Sequence, residues 1–266
     1  MKSLTFTVSK GGVGKSLITA NVGASLATKG NKVVLIEGDP NQPLQKMLGL
    51  NFSPQDPKLE DVIERDEEIN KVVYPTAIKN LYLVPSGISL QSYFDIDPIR
   101  FAYKLSSLET DFILIDVPFP LGRAAFLSLG ICDYFIPILT EDEFILCVES
   151  AIDTIRLGKY LLKSTPIGFI LNRIKNTKKF SREFIKDLED LLEIPCITKI
   201  KEDPRVSRSY GGIEAKKAFL AYYKFQRSEF AKKIDKISSW LLSQDLQPKK
   251  KNPEKLLQKL IKPLEF

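Results

Sequence analysis

The densest chemistry in this sequence lies in one short run, Lys10-Gly11-Gly12-Val13-Gly14-Lys15-Ser16. It follows an apolar stretch, Leu4–Ser9, and opens a helical pattern at Lys15. Glycines let the backbone curl so that successive N–H groups converge on an anion. A helix N-terminus adds its positive end. Lys15 is spaced for the β- and γ-phosphates of a nucleotide, and the Ser16 hydroxyl for a Mg²⁺ ion. Gly11, Gly12, Val13, Gly14, Lys15, Ser16 and Leu17 therefore form a candidate phosphate cradle. Further along, Asp116 ends an apolar run, Phe112–Asp116. An acid at the end of a buried strand needs a partner, and a metal ion is one.

These groups need elements to hold them. Short apolar runs at Leu4–Ser9, Lys32–Ile36, Asn80–Val84, Phe112–Asp116, Tyr134–Leu139 and Ile167–Asn172 read as strands. Helical patterns fall at Lys15–Thr28, Pro98–Ser107, Arg123–Leu129, Glu143–Leu162 and Ser181–Leu192. A last helix lies within Phe225–Leu242, with Phe230, Ile234, Ile237 and Leu241 on one face. The alternation predicts an α/β fold: a mainly parallel sheet with helices on both faces. Asn51–Glu68, rich in Pro, Asp and Glu, reads as a surface excursion.

Composition narrows the chemistry. The 266 residues are 44% hydrophobic, enough for one sizeable core. Histidine is absent, which excludes Ser-His and Cys-His catalysis and His-ligated metals. Cys132, Cys147 and Cys196 are far apart, so neither a disulfide framework nor a zinc site is expected, and buried reduced thiols are. The net charge of +6 suggests an anionic partner, nucleic acid or a membrane surface. No apolar run approaches the ~20 residues of a membrane-spanning helix, and no secretory leader opens the chain, so a cytoplasmic location is expected.

An ordinary phosphate loop does not require Lys10. With it, the run resembles the deviant Walker A motif of the MinD/ParA family of P-loop ATPases, whose fold is a three-layer αβα P-loop NTPase. The resemblance extends over roughly residues 2 to 240. Glu37-Gly38-Asp39-Pro40 is similar to the family's D-x-D-P, and Asp116-Val117-Pro118 to its Walker B strand end. Gly168–Arg173 resembles its G-[VI]-[VI]-x-N-[RK] strand, and Lys199–Val206 its loop beside the base. The resemblance implies ATP and Mg²⁺ as cofactors. It implies roles for Lys10 (reaching the ATP of a partner protomer), Lys15 and Asp39 (orienting the attacking water) in catalysis. Ser16, Asp39 and Asp116 would serve Mg²⁺, Asp116 through a coordinated water. Asn172, Arg173, Glu202 and Asp203 would surround the adenine.

Three positions depart from the family pattern. Leu17 stands where a second Thr is common, and this removes a hydroxyl from the α-phosphate. Pro120 stands where Gly or Ser is usual, and proline has no N–H and a fixed φ. Glu37 replaces an Asp, keeping the charge but shifting it by a methylene. Binding is expected to survive these changes, and the hydrolysis rate is the quantity they affect.

Residues 1–246 read as the ATPase domain and residues 247–266 as a linker with a tail. In the tail, Leu256, Leu257, Leu260, Ile261 and Leu264 share one helical face, opposite Lys255, Lys259 and Lys262. A short basic amphipathic helix of this kind can lie in a membrane interface; the alternatives are a tail packed on its own body, docked on a partner or left disordered. The resemblance implies an ATP-driven homodimer, slow in hydrolysis, that acts in spatial organisation such as division-site placement or DNA segregation. Its surface would be an anionic membrane on the inner face of the cell, reached through the tail, or non-specific DNA. For DNA the candidates are Lys175, Lys178, Lys179, Arg182, Lys216, Lys217, Lys232 and Lys233. An activator protein is a further partner. Two alternatives stay open: a metabolic or cofactor-assembly ATPase of the same fold, in which Cys132 could face a dimer interface, and a homologue that binds ATP without hydrolysing it.

Overall fold

A computed structural model describes residues 1–7, 11–87, 98–116, 129–208 and 220–247. In order they form β1 (Lys2–Thr7), α1 (Lys15–Thr28), β2 (Val33–Glu37), α2 (Pro43–Leu48), α3 (Leu59–Glu64), β3 (Tyr74–Pro75) and β4 (Leu81–Val84). Then follow α4 (Pro98–Ser106), β5 (Phe112–Asp116), β6 (Tyr134–Thr140), α5 (Phe144–Arg156), β7 (Thr165–Pro166), β8 (Phe169–Ile174) and α6 (Arg182–Leu192). The described chain closes with β9 (Cys196–Lys201), α7 (Pro204–Arg208), α8 (Ala221–Lys224) and α9 (Glu229–Ser243).

The strands make one sheet in the order β3-β4-β2-β5-β1-β6-β8-β9, with β7 also against β6. Among the described strands only β3 runs antiparallel to its neighbour. The central strands are apolar throughout because both faces are covered. Along β2, Val33 and Leu35 enter one apolar cluster while Val34 and Ile36 enter the other. β5 divides the same way, with Phe112 and Leu114 against Ile113 and Ile115. Each such side chain contributes about 1.5–3 kcal/mol on burial. α1 is buried nearly all round, as its apolar composition requires. It lies so close to β2 that a Cβ on Gly23 would sit 2.7 Å from Leu35 Cδ2.

This topology places the carboxyl ends of β1, β2, β5, β6, β8 and β9 along one edge. In a doubly wound sheet that edge is where ligands bind.

Several sequence expectations change here. Asn51–Glu68 is not only a surface excursion: α3 lies within it and buries Leu59 and Val62. Lys199–Lys201 belongs to a strand, β9, that the resemblance had placed in a loop. The strand expected at Ile167–Asn172 is shifted to Phe169–Ile174, behind Gly168. The helix expected over Glu143–Leu162 is α-helical to Arg156 and π-helical over Leu157–Leu162. Cys132 is fully buried in the second apolar cluster, so it cannot face a dimer interface. Cys147 is buried too, and burial pushes the Cys196 thiol up to about 12. Lys10, Pro118, Pro120, most of the expected helix Arg123–Leu129, Lys216, Lys217 and the tail lie outside the described residues. No helix among the described residues is long and apolar enough to cross a membrane.

Candidate nucleotide site

The N-terminus of α1 differs from those of α6 and α9. Ser181 caps α6 through the Phe184 N–H and Ser228 caps α9 through the Ala231 N–H, each with a glutamate in the first turn. α1 has Gly14 at its cap, with no side-chain acceptor and no acid in the first turn. A glycine cap offers the first-turn N–H groups no side-chain acceptor. Gly14 sits at φ +96°, a left-handed conformation that glycine adopts without strain.

Behind this turn, charges are crowded in a dry place. Lys15 is buried, which lowers its pKa against the opposing pull of Asp116 and Asp39. Asp116 ends β5 and is fully buried. Burial, with the neighbouring Glu37 and Asp39 carboxylates, raises its carboxyl to about 7; Ser16 and Lys15 oppose this. The Ser16 hydroxyl is close enough to favour its charged form, yet neither Asp116 oxygen accepts a well-formed hydrogen bond among the described residues. Glu37 pairs with Asp116 in the sheet register. Two carboxylates, Asp116 and Asp39, thus act on Lys15, and a third, Glu37, lies beside Asp116.

These carboxylates, and the orphaned Asp116 oxygens, fit a divalent cation. No group of three His, Cys, Asp or Glu residues that could cage a metal occurs among the described residues. The arrangement matches Mg²⁺, which keeps waters and binds through one or two protein oxygens and the substrate's phosphates. Ser16, Asp39 and Asp116, the groups expected to serve the ion, are at hand for it.

Asp39 is half-buried in the loop after β2. Its Oδ1 accepts from the Asn41 backbone N–H and side-chain amide, both at 2.9 Å. Glu37, the departure from the family pattern, is engaged elsewhere. Its Oε1 accepts from the Leu44 N–H at 2.6 Å and the Gln45 N–H at 3.1 Å, and its Oε2 from Gln45 Nε2 at 2.7 Å. Burial still raises it to about 7, with the Gln45, Leu44 and Ser86 donors pulling down.

On the other side of Gly14 opens a cavity of about 310 Å³. Gly12, Gly14, Leu17, Asn172, Arg173, Glu202 and Asp203 line it, all anticipated from the sequence. Asn172 Nδ2 donates to the Val13 carbonyl at 2.8 Å, so part of its amide is spent on the loop rather than on a base. Arg173, at φ +55°, donates to the Gly12 carbonyl at 3.0 Å and to Glu202 at 3.1 Å. Asp203 is held low chiefly by hydrogen bonds from Arg205. Ile200, within the run set beside the base, also lines the cavity, as do Met47 and Phe230, which were not foreseen. Phe230 shows only as a core position in a helical pattern, and nothing in the sequence marks Met47.

Of the basic candidates, Lys175 is tied to Asp142 and Lys233 to Glu229. Lys178, Lys179, Arg182 and Lys232 are exposed.

Comparison with known proteins fits this geometry. The family described as an AAA domain matches residues 1–164. An uncharacterized ATP-binding protein of Methanocaldococcus jannaschii is 37% identical over 241 residues, 89% of this chain and 87% of its own length. The chain belongs to the MinD/ParA family of P-loop ATPases. Among MinD/ParA proteins, the sporulation initiation inhibitor protein Soj of Bacillus subtilis is 28% identical, covering 59% of this chain and 65% of its own. The septum site-determining protein MinD of Pyrococcus horikoshii, solved with Mg-ADP, superposes with a TM-score of 0.75 at 25% identity, covering 91% of this chain and 96% of its own. The cell division ATPase MinD of Pyrococcus furiosus gives 0.73 at 26%, covering 91% and 98%.

Proposed function

We propose that this chain is a Mg-ATP-dependent dimerisation switch with slow hydrolysis, used in spatial organisation such as division-site placement or DNA segregation. The observation that carries the reading is Asp116, a buried carboxylate with no hydrogen-bond partner among the described residues, set beside Lys15 and the uncapped start of α1. Desolvating a charge costs several kcal/mol, so such an arrangement favours a bound cation and polyphosphate.

In this reading Lys15 and the N–H groups of the glycine loop hold the phosphates. Ser16 would be a ligand of Mg²⁺, and Asp116 would help hold the ion. When bound, Mg²⁺ neutralises phosphate charge. Asp39 orients the attacking water, and Lys10 reaches the ATP of the partner protomer. Asn172, Arg173, Glu202 and Asp203 enclose the adenine. The ATP dimer then binds an anionic surface, either a membrane through the tail or DNA through exposed lysines.

The test is sedimentation of the full chain, and of a form lacking residues 247–266, with anionic liposomes and with DNA, in ATP and in ADP. ATP-dependent pelleting with liposomes that needs the tail supports the membrane. ATP-dependent, salt-sensitive retention on DNA supports DNA. Identical behaviour in ATP and ADP, with no dimer by light scattering, overturns the switch.

A further inference from the structure

Glu37 is a departure from the family pattern that lies among the described residues. A charge-bearing group at this strand end would be expected to serve the metal site. Its hydrogen bonds lead the other way. Its oxygens accept from the Leu44 N–H, the Gln45 N–H and the Gln45 side chain at the start of α2, with the Ser86 N–H as a further donor. α2 has no side-chain cap of its own, since Gln42 at its N-cap makes no such bond. A residue six positions before the helix supplies it.

Glu37 therefore closes a loop, and Asp39 lies inside it. At one end the Gly38 N–H donates to the Asp116 carbonyl at 2.8 Å, continuing the sheet. At the other, the Glu37 carboxylate pins Leu44 and Gln45. Between them the Asp39 carbonyl accepts from the Gln42 N–H and from Ser86 Oγ, each at 2.9 Å. α2 in turn buries Leu44 and Leu48 in the core and turns Met47 into the cavity on the base side of the site. One carboxylate thus fixes two things: the loop that carries Asp39, and the helix that lines the cavity.

We infer that Glu37 is a positioning residue: through its hydrogen bonds to the start of α2 it sets the place of Asp39 and of Met47, and it acts by its length rather than by its charge at the metal. This rests on the reading of Asp39 as the group that orients the attacking water. Reach is what the added methylene supplies. An aspartate here would fall short by more than about 1 Å, beyond what bonds of 2.6 and 2.7 Å tolerate. A glutamine would still accept from the Leu44 and Gln45 N–H groups. Its amide would pair with Gln45 once the Gln45 amide turned over.

Two substitutions separate length from charge. Glu37→Gln keeps the length and removes the charge, and Glu37→Asp does the reverse. Steady-state ATPase rates, nucleotide affinity and melting temperature are measured on the full chain for both. Glu37→Asp should lower kcat at least about tenfold, since a displacement near 1 Å can cost up to about a hundredfold. Its affinity for ATP should fall by a smaller factor. Glu37→Gln should recover most of both losses.

A Glu37→Asp protein as active as the parent, with Glu37→Gln inactive, overturns the inference and assigns the charge to the metal site. Equal losses in both also overturn it. If the parent chain hydrolyses no ATP, the function reading fails separately. The inference is then read from hydrogen exchange at Leu44 and Gln45: protection lost in Glu37→Asp and kept in Glu37→Gln supports it, and equal protection in the two overturns it.

Discussion

The two halves of the site are built on opposite principles. On the phosphate side, Lys15, Asp116 and Glu37 are buried, their pKa values are displaced by burial, and Asp116 has no hydrogen-bond partner among the described residues. On the base side, Asn172 bonds to Val13, Arg173 to Gly12 and Glu202, and Asp203 to Arg205, and most of these groups reach solvent. One half is incomplete without a ligand and the other is already satisfied. In the function proposed above, the phosphates and the cation would carry most of the binding energy, and the base would chiefly select. A switch that must tell ATP from ADP needs its sensitivity at the phosphates.

The sharpest way to break this contrast is Lys15→Ala. It removes the buried cation and leaves the neighbouring carboxylates uncompensated. Losing one member of a buried charged contact costs about 2–5 kcal/mol, so ATP affinity should fall at least about thirtyfold by calorimetry. An affinity within threefold of the parent would remove the phosphate-site assignment.

Gly14→Ala strikes the joint between the two halves. The substituted residue would be strained at φ +96°, and its Cβ would lie 2.6 Å from Asn172 Nδ2. A backbone this incompatible costs more than about 1 kcal/mol. Displacing Asn172 adds the loss of its bond to Val13. Affinity for ATP and ADP should both drop roughly tenfold, since about 1.4 kcal/mol is a factor of ten. A loss confined to ATP would show that Asn172 does not couple the halves.

Legibility in the sequence follows the same division. The phosphate half could be read because strand, glycine loop, lysine, hydroxyl and helix are contiguous, and Asp39 and Asp116 end strongly apolar strands. The base half is assembled from β8, β9, α2 and α9, so Met47, Ile200 and Phe230 meet only in the fold. Cys196–Lys201 was missed as a strand because it is an edge strand with lysines at two of its positions. In Asn51–Glu68 the prolines and acids hid Leu59 and Val62, three apart on one helical face. The role of Glu37 could not be read at all, since a carboxylate reaching a helix start seven residues on leaves no periodic trace.

A smaller effect separates the halves by pH. Burial raises Asp116 from 3.8, and Glu37 from 4.5, each to about 7. Raised carboxyls hold their protons more tightly in the folded chain than in the unfolded one. The stability they contribute is complete below those ordinary values and is lost as pH rises through about 7. The melting temperature of the nucleotide-free chain should fall between pH 5 and pH 8. Asp116→Asn should flatten much of that fall and raise the melting temperature at pH 8 by roughly 2–4 °C per kcal/mol recovered. It should also abolish the Mg²⁺ dependence of nucleotide binding. An unchanged pH profile would place Asp116 in a wetter environment than the one described.

Arg173→Ala should have the least effect, and for the reason that defines its half of the site. The guanidinium is partly exposed, with 43% of its side-chain surface open, and it bridges the Gly12 carbonyl to Glu202. Exposed ion pairs contribute about 0.2–1 kcal/mol, and the bond to Gly12 adds about as much again. Affinity for ATP and ADP should weaken together by about threefold to tenfold, and the melting temperature should barely move. Arg173→Lys should not restore it, because a single ammonium cannot span both partners. If Arg173→Ala instead cost as much as Lys15→Ala, the base side would be carrying charge recognition, and the contrast between the two halves would fail.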